Sequence, residues 1–246
     1  MEMRSEVAVI LVGGLGTRIR HIIGDVPKPL ARVCNEPWLS WIFKSLQAKG
    51  FRKVYLLTGF GAQQIVDFVN SLDDLEFAVE CVQENKMLGT GGSVVNWLCG
   101  LKDPPPRFFL LNGDSLLLDF DMHRAIDSLD TGFDGVIYGR YLSDASRYGT
   151  LELDNHNRLV SFREKVGGSG VINTGVYLFK SQAFDRALGL RGKAISLENE
   201  IIPQMIKDRE TIFVQLDNQP FIDIGVESSL KEAESFIQNH ILLRND

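Results

Sequence analysis

The chain has 246 residues, 44% of them hydrophobic and 24% charged, and a net charge of −6. These values exclude a disordered or collagen-like polypeptide and allow one large globular domain without a disulfide or metal staple. An acidic chain with no run of Lys/Arg is not expected to bind nucleic acid, and no apolar run reaches the ~18 residues of a membrane span.

Three cysteines, Cys34, Cys81 and Cys99, have no C-x-x-C spacing. Their odd number excludes a complete disulfide framework. His21, His123, His156 and His240 form no zinc-binding spacing. Met1 to Glu6 is charged and lacks the cleavage pattern of a secretory signal. A cytoplasmic protein is the expectation.

Taken in chain order, Val7–Val12 is a continuous apolar run ending in Gly13-Gly14, which predicts a buried parallel strand. Pro37–Lys49 places Trp38, Leu39, Trp41, Ile42 and Leu46 at helical spacing with Gly50 as a stop. Lys53–Thr58 predicts a strand, Ala62–Val69 a helix, Glu76–Val82 a strand, Ser93–Leu101 a helix and Arg107–Leu111 a strand. The run Asp103-Pro104-Pro105-Pro106 is expected to be a helix stop and turn. Alternation of this kind predicts a parallel sheet with helices on its faces.

Beyond Leu111 the rhythm changes. Gly135–Arg140, Gly149–Leu153, Leu159–Phe162, Val171–Phe179 and Thr211–Leu216 predict strands, with a hairpin turn at Asp154–Asn157. Helices are predicted over Ser181–Leu188, Leu197–Lys207 and Ser228–Leu242. No repeat of 20–50 residues and no hexapeptide array appears, so a β-helix extension is not expected.

The loop Gly13-Gly14-Leu15-Gly16-Thr17-Arg18 follows the first strand. Glycines there expose backbone N–H groups to phosphate because no Cβ blocks approach. Neither a dinucleotide fingerprint nor a Walker loop fits: Ile19 stands at the third glycine of the first, and Arg18 at the sixth position of the second. A plain strand-to-helix turn is the other reading. Pro27-Lys28-Pro29 flanks a lysine with two fixed φ angles, biasing it towards extended backbone. Read alone it is an exposed lysine or a pre-set cation; beside the glycine loop the cation is favoured.

The glycine loop together with Pro27-Lys28-Pro29-Leu30 resembles the signature of the sugar-1-phosphate nucleotidyltransferases, over about Val7 to Asn239. The resemblance implies an α/β fold: a Rossmann-like mixed, mainly parallel sheet flanked by helices. It implies a single domain over 1–246, with a nucleotide-binding half to about 115 and a sugar-phosphate-binding half from about 116. It also implies Mg²⁺ as cofactor, and an NTP and a sugar 1-phosphate as partners. A homo-oligomer is left open.

On the family pattern, Asn112-Gly113-Asp114 resembles the metal-binding loop, and Asp223 in Phe221–Gly225 resembles the second metal ligand. Without that pattern each aspartate reads as a turn or cap residue. The family's proline after this segment is absent, so Glu227 or Ser228 is expected to cap the last helix. Glu164-Lys165 matches the pair that binds sugar hydroxyls and sugar phosphate, although alone it reads as a charged strand end. Gly149, Asn173 and Thr174 match sugar-pocket segments. Catalysis is expected from Arg18, Lys28, Asp114, Lys165 and Asp223. Nucleotide binding is expected from Val12, Gly13, Gly14, Gly16, Thr17, Arg18, Lys28, Gln83, Gly89, Thr90, Asn112 and Gly113.

The segment Leu88-Gly89-Thr90-Gly91-Gly92 is similar to mannose- and heptose-type members. The whole set is most similar to those that join GTP to D-glycero-α-D-manno-heptose 1-phosphate for surface polysaccharides. Mannose as acceptor, uridylyl or thymidylyl transfer, and a non-catalytic nucleotide-sugar-binding subunit are the alternatives.

Overall fold

The computed structural model describes residues 6–164 and 168–243. In chain order it contains β1 (Val7–Leu11), α1 (Arg20–Ile23), a 3-10 turn (Lys28–Leu30), β2 (Arg32–Val33), β3 (Glu36–Pro37), α2 (Trp38–Ala48), β4 (Lys53–Thr58), α3 (Ala62–Asn70), β5 (Ala78–Gln83), α4 (Gly89–Gly100) and β6 (Arg107–Asn112). There follow β7 (Ser115–Leu117), α5 (Met122–Asp130), β8 (Gly135–Leu142), β9 (Gly149–Leu153), β10 (Leu159–Glu164), β11 (Gly170–Lys180) and a 3-10 segment (Ser181–Leu190). A π-helical turn (Leu197–Ile201), α6 (Ile202–Lys207), β12 (Ile212–Leu216), β13 (Phe221–Asp223), α7 (Glu227–Ile237) and a second π-helical turn (Gln238–Leu242) complete it. The sheet is mixed and flanked by helices, as expected. Among the described residues no helix is long and apolar enough to cross a membrane.

Two compact units are present. The first comprises Met1–Lys86, Leu111–Asp119 and Gln219–Asp246; the second comprises Met87–Leu110 and Phe120–Asn218.

In the first unit β1, β4 and β5 are parallel, with Val7 opposite Lys53 and Lys53 opposite Ala78. Ala8, Val9 and Ile10 are fully buried, as a strand covered on both faces requires. Helix α2 buries Trp38, Leu39, Trp41, Ile42, Phe43 and Leu46, each large side chain stabilising by roughly 1.5–3 kcal/mol. Gly50, at φ 76°, ends it and donates to the Gln47 carbonyl at 2.9 Å. The last helix begins at Glu227 and not Ser228. Ser229, not Glu227 or Ser228, supplies the side-chain cap: its Oγ donates to the Val226 carbonyl at 3.2 Å and accepts from the Val226 N–H at 3.4 Å.

The second unit is largely antiparallel. Strand β8 lies between β11 (antiparallel) and β12 (parallel), and β11 and β10 both pair with β9. The expected hairpin turn is an Asx turn: Asp154 Oδ1 accepts from the N–H groups of His156 (2.8 Å) and Arg158 (2.9 Å), with Asn157 at φ 57°.

Helix α4 starts at Gly89, four residues before the expected Ser93. Glycine propensity argues against that start. The Ile195 carbonyl overrides it by accepting from the first-turn N–H groups of Gly91 and Gly92, at 3.0 and 3.1 Å. The absence of side chains at Gly91 and Gly92 lets residues 193–201 press against this turn; a Cβ on Gly91 would meet the Leu197 nitrogen at 2.9 Å.

Candidate functional site

In the first unit the loop after β1 turns back over the end of β4. Gly13 and Gly59 approach so closely that a Cβ on Gly13 would lie 3.1 Å from the Gly59 nitrogen. The Gly13 carbonyl accepts from the Phe60 N–H at 3.2 Å. Gly16 has φ +60°, and a Cβ there would meet Lys28 Cβ at 3.3 Å. Backbone of this shape is available to glycine at little cost. The loop therefore lies directly on the lysine that the sequence singled out.

Lys28 does not take the extended conformation expected before Pro29. It opens a 3-10 turn, held by Leu30 N–H donating to the Pro27 carbonyl (2.8 Å) and Ala31 N–H to the Lys28 carbonyl (3.0 Å). These bonds outweigh the local proline bias and direct Lys28 at an acid. Its Nζ donates to Asp114 Oδ2 at 2.6 Å, with the two side chains 11% and 31% exposed.

Asp114 stands just after β6. Gly113 is required beside it, since a Cβ would meet the Leu11 carbonyl at 2.6 Å, and its own N–H donates to that carbonyl at 3.0 Å. Burial pushes the Asp114 carboxyl up, but Lys28 and Ser115 as partners and the charge of Arg18 more than offset this and hold it below the usual carboxylate value.

A short two-stranded pairing brings the second acid to the first. Strands β7 and β13 run antiparallel with Asp223 opposite Ser115, and the Ile224 N–H donates to the Asp114 carbonyl at 2.8 Å. Asp223 Oδ1 accepts from the Gly225 N–H at 2.7 Å. A Cβ on Gly225 would meet Asp223 Oδ1 at 2.6 Å and Arg18 Nη2 at 3.4 Å, so Arg18 lies against the same segment. Two carboxylates 109 positions apart, two cations and a glycine loop thus gather at one end of the first unit. A pair of hard oxygen donors fits Mg²⁺, which takes one or two carboxylates and fills its remaining positions with phosphate oxygens and water.

In the second unit Thr90 lies in the first turn of α4, directly after Gly89 at φ +70°. Thr90 Oγ1 donates to Glu198 Oε2 at 2.8 Å and accepts from the Leu197 N–H at 2.8 Å. On β11, Asn173 Nδ2 donates to the Tyr177 hydroxyl at 2.6 Å, and that hydroxyl donates to Glu198 Oε1 at 3.1 Å. Thr174 is fully buried and its hydroxyl donates to the Tyr138 carbonyl at 2.8 Å. Gly149 opens β9 opposite Glu164; a Cβ there would strike the Phe162 ring at 2.6 Å.

The nucleotide-side residues thus fall in both units. Val12, Gly13, Gly14, Gly16, Thr17, Arg18, Lys28, Gln83, Asn112 and Gly113 are in the first; Gly89 and Thr90 share the second with Gly149, Glu164, Asn173 and Thr174. Lys165 lies outside the described residues. Sequence reasoning missed Glu198 and Tyr177. Glu198 sits in an ordinary charged run, Leu197-Glu198-Asn199-Glu200, and Tyr177 in an apolar strand. Only the fold reveals that they meet.

The sequence matches the family described as nucleotidyl transferase over residues 7–240. A D-glycero-alpha-D-manno-heptose 1-phosphate guanylyltransferase of Campylobacter jejuni is 33% identical over 222 residues, covering 89% of this chain and 94% of that protein. A mannose-1-phosphate guanylyltransferase catalytic subunit beta of Drosophila melanogaster is 30% identical, over 89% of this chain and 59% of its own length. Among solved structures, HddC from Yersinia pseudotuberculosis complexed with GMP-PN superposes with a TM-score of 0.81 at 29% identity, covering 94% of this chain and 98% of that one.

Proposed function

The chain belongs to the nucleotidyl transferase family, and from that premise we propose that it transfers the guanylyl group of GTP to D-glycero-α-D-manno-heptose 1-phosphate. The products are GDP-heptose and pyrophosphate. The observation that carries the reaction class is the gathering of Asp114, Asp223, Lys28 and Arg18 beside the Gly13–Thr17 loop. The choice of guanine and heptose rests on the Campylobacter relative, matched over 94% of its length.

A phosphate oxygen of the sugar phosphate attacks the α-phosphorus. The new P–O bond forms as the bond to the β-phosphate oxygen breaks, and pyrophosphate carries away the electron pair. No protein nucleophile is required; positioning and charge neutralisation do the work, as in other phosphoryl transfers. The Gly13–Thr17 backbone and Arg18 hold the triphosphate, Lys28 neutralises charge at the α-phosphate, and Lys165 holds the acceptor phosphate. We assign Gln83, Gly89 and Thr90 to the base and Gly149, Glu164 and Asn173 to the sugar; Thr174, expected there too, is fully buried with its hydroxyl on the Tyr138 carbonyl and holds β11 in place instead of touching the substrate. Asp114 and Asp223 would hold Mg²⁺, which supplies Lewis-acid neutralisation of phosphate oxygens when bound. We assign the protein to the cytoplasm, where nucleoside triphosphates are available, and its product to surface polysaccharide synthesis.

Mannose 1-phosphate is the second reading for the acceptor, favoured by the Drosophila relative. The test is pyrophosphate release with Mg²⁺ from GTP, UTP, dTTP, CTP and ATP, each against heptose, mannose and glucose 1-phosphates, with mass spectrometry of the product. A dominant GTP–heptose signal is expected. A dominant signal elsewhere replaces the base or sugar. Silence from a folded, nucleotide-binding protein overturns the enzyme reading in favour of a non-catalytic sensing subunit.

A further inference from the structure

We propose that the Tyr177 hydroxyl is a positioning group that couples the two substrates, tying the donor-side Thr90 through Glu198 to the acceptor-side Asn173. The inference rests on the subsites assigned under Proposed function. All four residues belong to the second unit.

Glu198 is the centre of the chain of contacts. One carboxylate oxygen accepts from Thr90 (2.8 Å) and Ser196 (3.2 Å), and the other from Tyr177 (3.1 Å). An amide nitrogen only donates, so the Tyr177 oxygen accepts from Asn173 Nδ2 at 2.6 Å and its own proton points at Glu198. Asn173 Oδ1 in turn accepts from the Gly175 N–H at 3.0 Å, so both arms of its amide are set. The tyrosine ring is fully buried and stacked on Phe179, with centroids 5.7 Å apart. Packing on every side holds the ring in this orientation.

The donor end is equally fixed. Thr90 also accepts from the Leu197 N–H at 2.8 Å. Ser196 caps the π-helical turn by accepting from the Asn199 N–H at 3.1 Å, and the Ile201 N–H donates to the Ser196 carbonyl at 3.1 Å. A displacement of Thr90 on nucleotide binding therefore carries Leu197 and Glu198 with it. Three hydrogen bonds transmit it to Asn173. Linked hydrogen bonds in a partly buried setting act together, and a network biased from both ends makes each ligand alter the affinity of the other by the same factor.

The experiment uses the full chain. Pyrophosphate release from GTP and heptose 1-phosphate is measured first. Calorimetry then gives the heptose 1-phosphate Kd alone and with saturating guanosine 5′-(α,β-methylene)triphosphate, which cannot transfer its guanylyl group. In the wild type the analogue is expected to tighten the acceptor by roughly 5–150-fold. In Tyr177→Phe that factor should fall to within about twofold of unity, nucleotide affinity alone should hold, and acceptor KM should rise while kcat stays within a few-fold. Thr90→Val, which cuts the other end, should abolish the same factor. Retention of the factor in Tyr177→Phe, even with a lower melting temperature, overturns the inference and leaves the reaction standing. So does a wild type that turns over without coupling. A wild type with no turnover overturns the functional reading and this inference with it.

Discussion

Lys28 Nζ lies 2.6 Å from Asp114 Oδ2, and the lysine side chain is only 11% exposed. Each charge is the other's main compensation. Removing one partner of such a pair costs more than the pair contributes, because the survivor stays half-buried without its counter-charge. The same pair keeps Asp114 ionised, as a hard-metal ligand must be.

Asp114→Ala and Asp223→Ala are each expected to lower kcat at least about 100-fold, the scale of losing one electrostatic stabiliser. Their stabilities should differ. Asp114→Ala strands Lys28 and should lose of order 1–3 kcal/mol. Asp223→Ala leaves the Gly225 N–H without its 2.7 Å acceptor, a single hydrogen bond that accounts for about 0.5–1.5 kcal/mol. Steady-state kinetics with denaturant titration read both quantities, and near-wild-type turnover in either folded variant removes that residue from the metal set.

Acid should expose the ion pair. The folded-state pKa of Asp114 is lowered from 3.8, so the unfolded chain takes up a proton that the folded chain refuses. The stabilisation is complete above about 3.8 and is lost as pH falls through the folded value. In Lys28→Met burial acts with its main opponent gone, so this acid-side loss should shrink or reverse. Melting temperatures of both proteins between pH 2.5 and 6 test this; parallel curves would mean that Lys28 does not set the Asp114 ionisation.

Much of this arrangement was legible in the sequence. The apolar run Val7–Leu11 and the helical stripe of α2 announce themselves because buried strands and amphipathic helices leave periodic patterns. The glycine loop, Lys28 and Asp114 were picked out as residues whose type suits phosphate and metal. The contact that seats Asp223 beside Asp114 was not, because it depends on β13 pairing with β7. Three-residue strands leave no period to detect. Helix α5 was missed despite a visible signal: Asp121 caps it, accepting from the Arg124 N–H at 3.1 Å. The early start of α4 was hidden because its stabilising partner, Ile195, is more than a hundred positions away. The two units also exchange the chain several times, at Lys86, Leu110, Asp119 and Asn218, which a scan along the sequence does not show.

Gly225 should be a sensitive position for turnover and a tolerant one for folding. A methyl group there would press on Asp223 Oδ1 at 2.6 Å and approach Arg18 Nη2 at 3.4 Å. Both contacts are the far ends of side chains, so they can move aside, and Gly225 is not among the glycines with positive φ. Gly225→Ala is therefore expected to keep a melting temperature within a few degrees of wild type while kcat falls by about tenfold or more. An unchanged kcat would show that the Asp223 carboxylate need not keep its position against the Gly225 N–H.

Glu210, in the second unit, sets a pH dependence of the opposite sign. Burial and then the charge of Asp134 push its carboxyl up from 4.5 to about 7, with Arg186 partly opposing them. Its Oε2 is buried with no hydrogen-bond partner among the described residues. The folded chain therefore holds a proton that the unfolded chain releases. Stability is full below about 4.5, declines as pH rises towards 7, and is level above that. A shift of this size sets an upper bound of ~3 kcal/mol, reduced by solvent screening at a half-buried site. Glu210→Gln keeps the shape of the neutral acid and cannot ionise. It should match wild type at pH 5 and melt at a higher temperature at pH 8, and the wild-type decline between those values should be shallower in the variant. Melting curves at the two pH values decide it. Identical slopes would mean that the Glu210 carboxylate reaches water when ionised, and that its buried oxygen is compensated there.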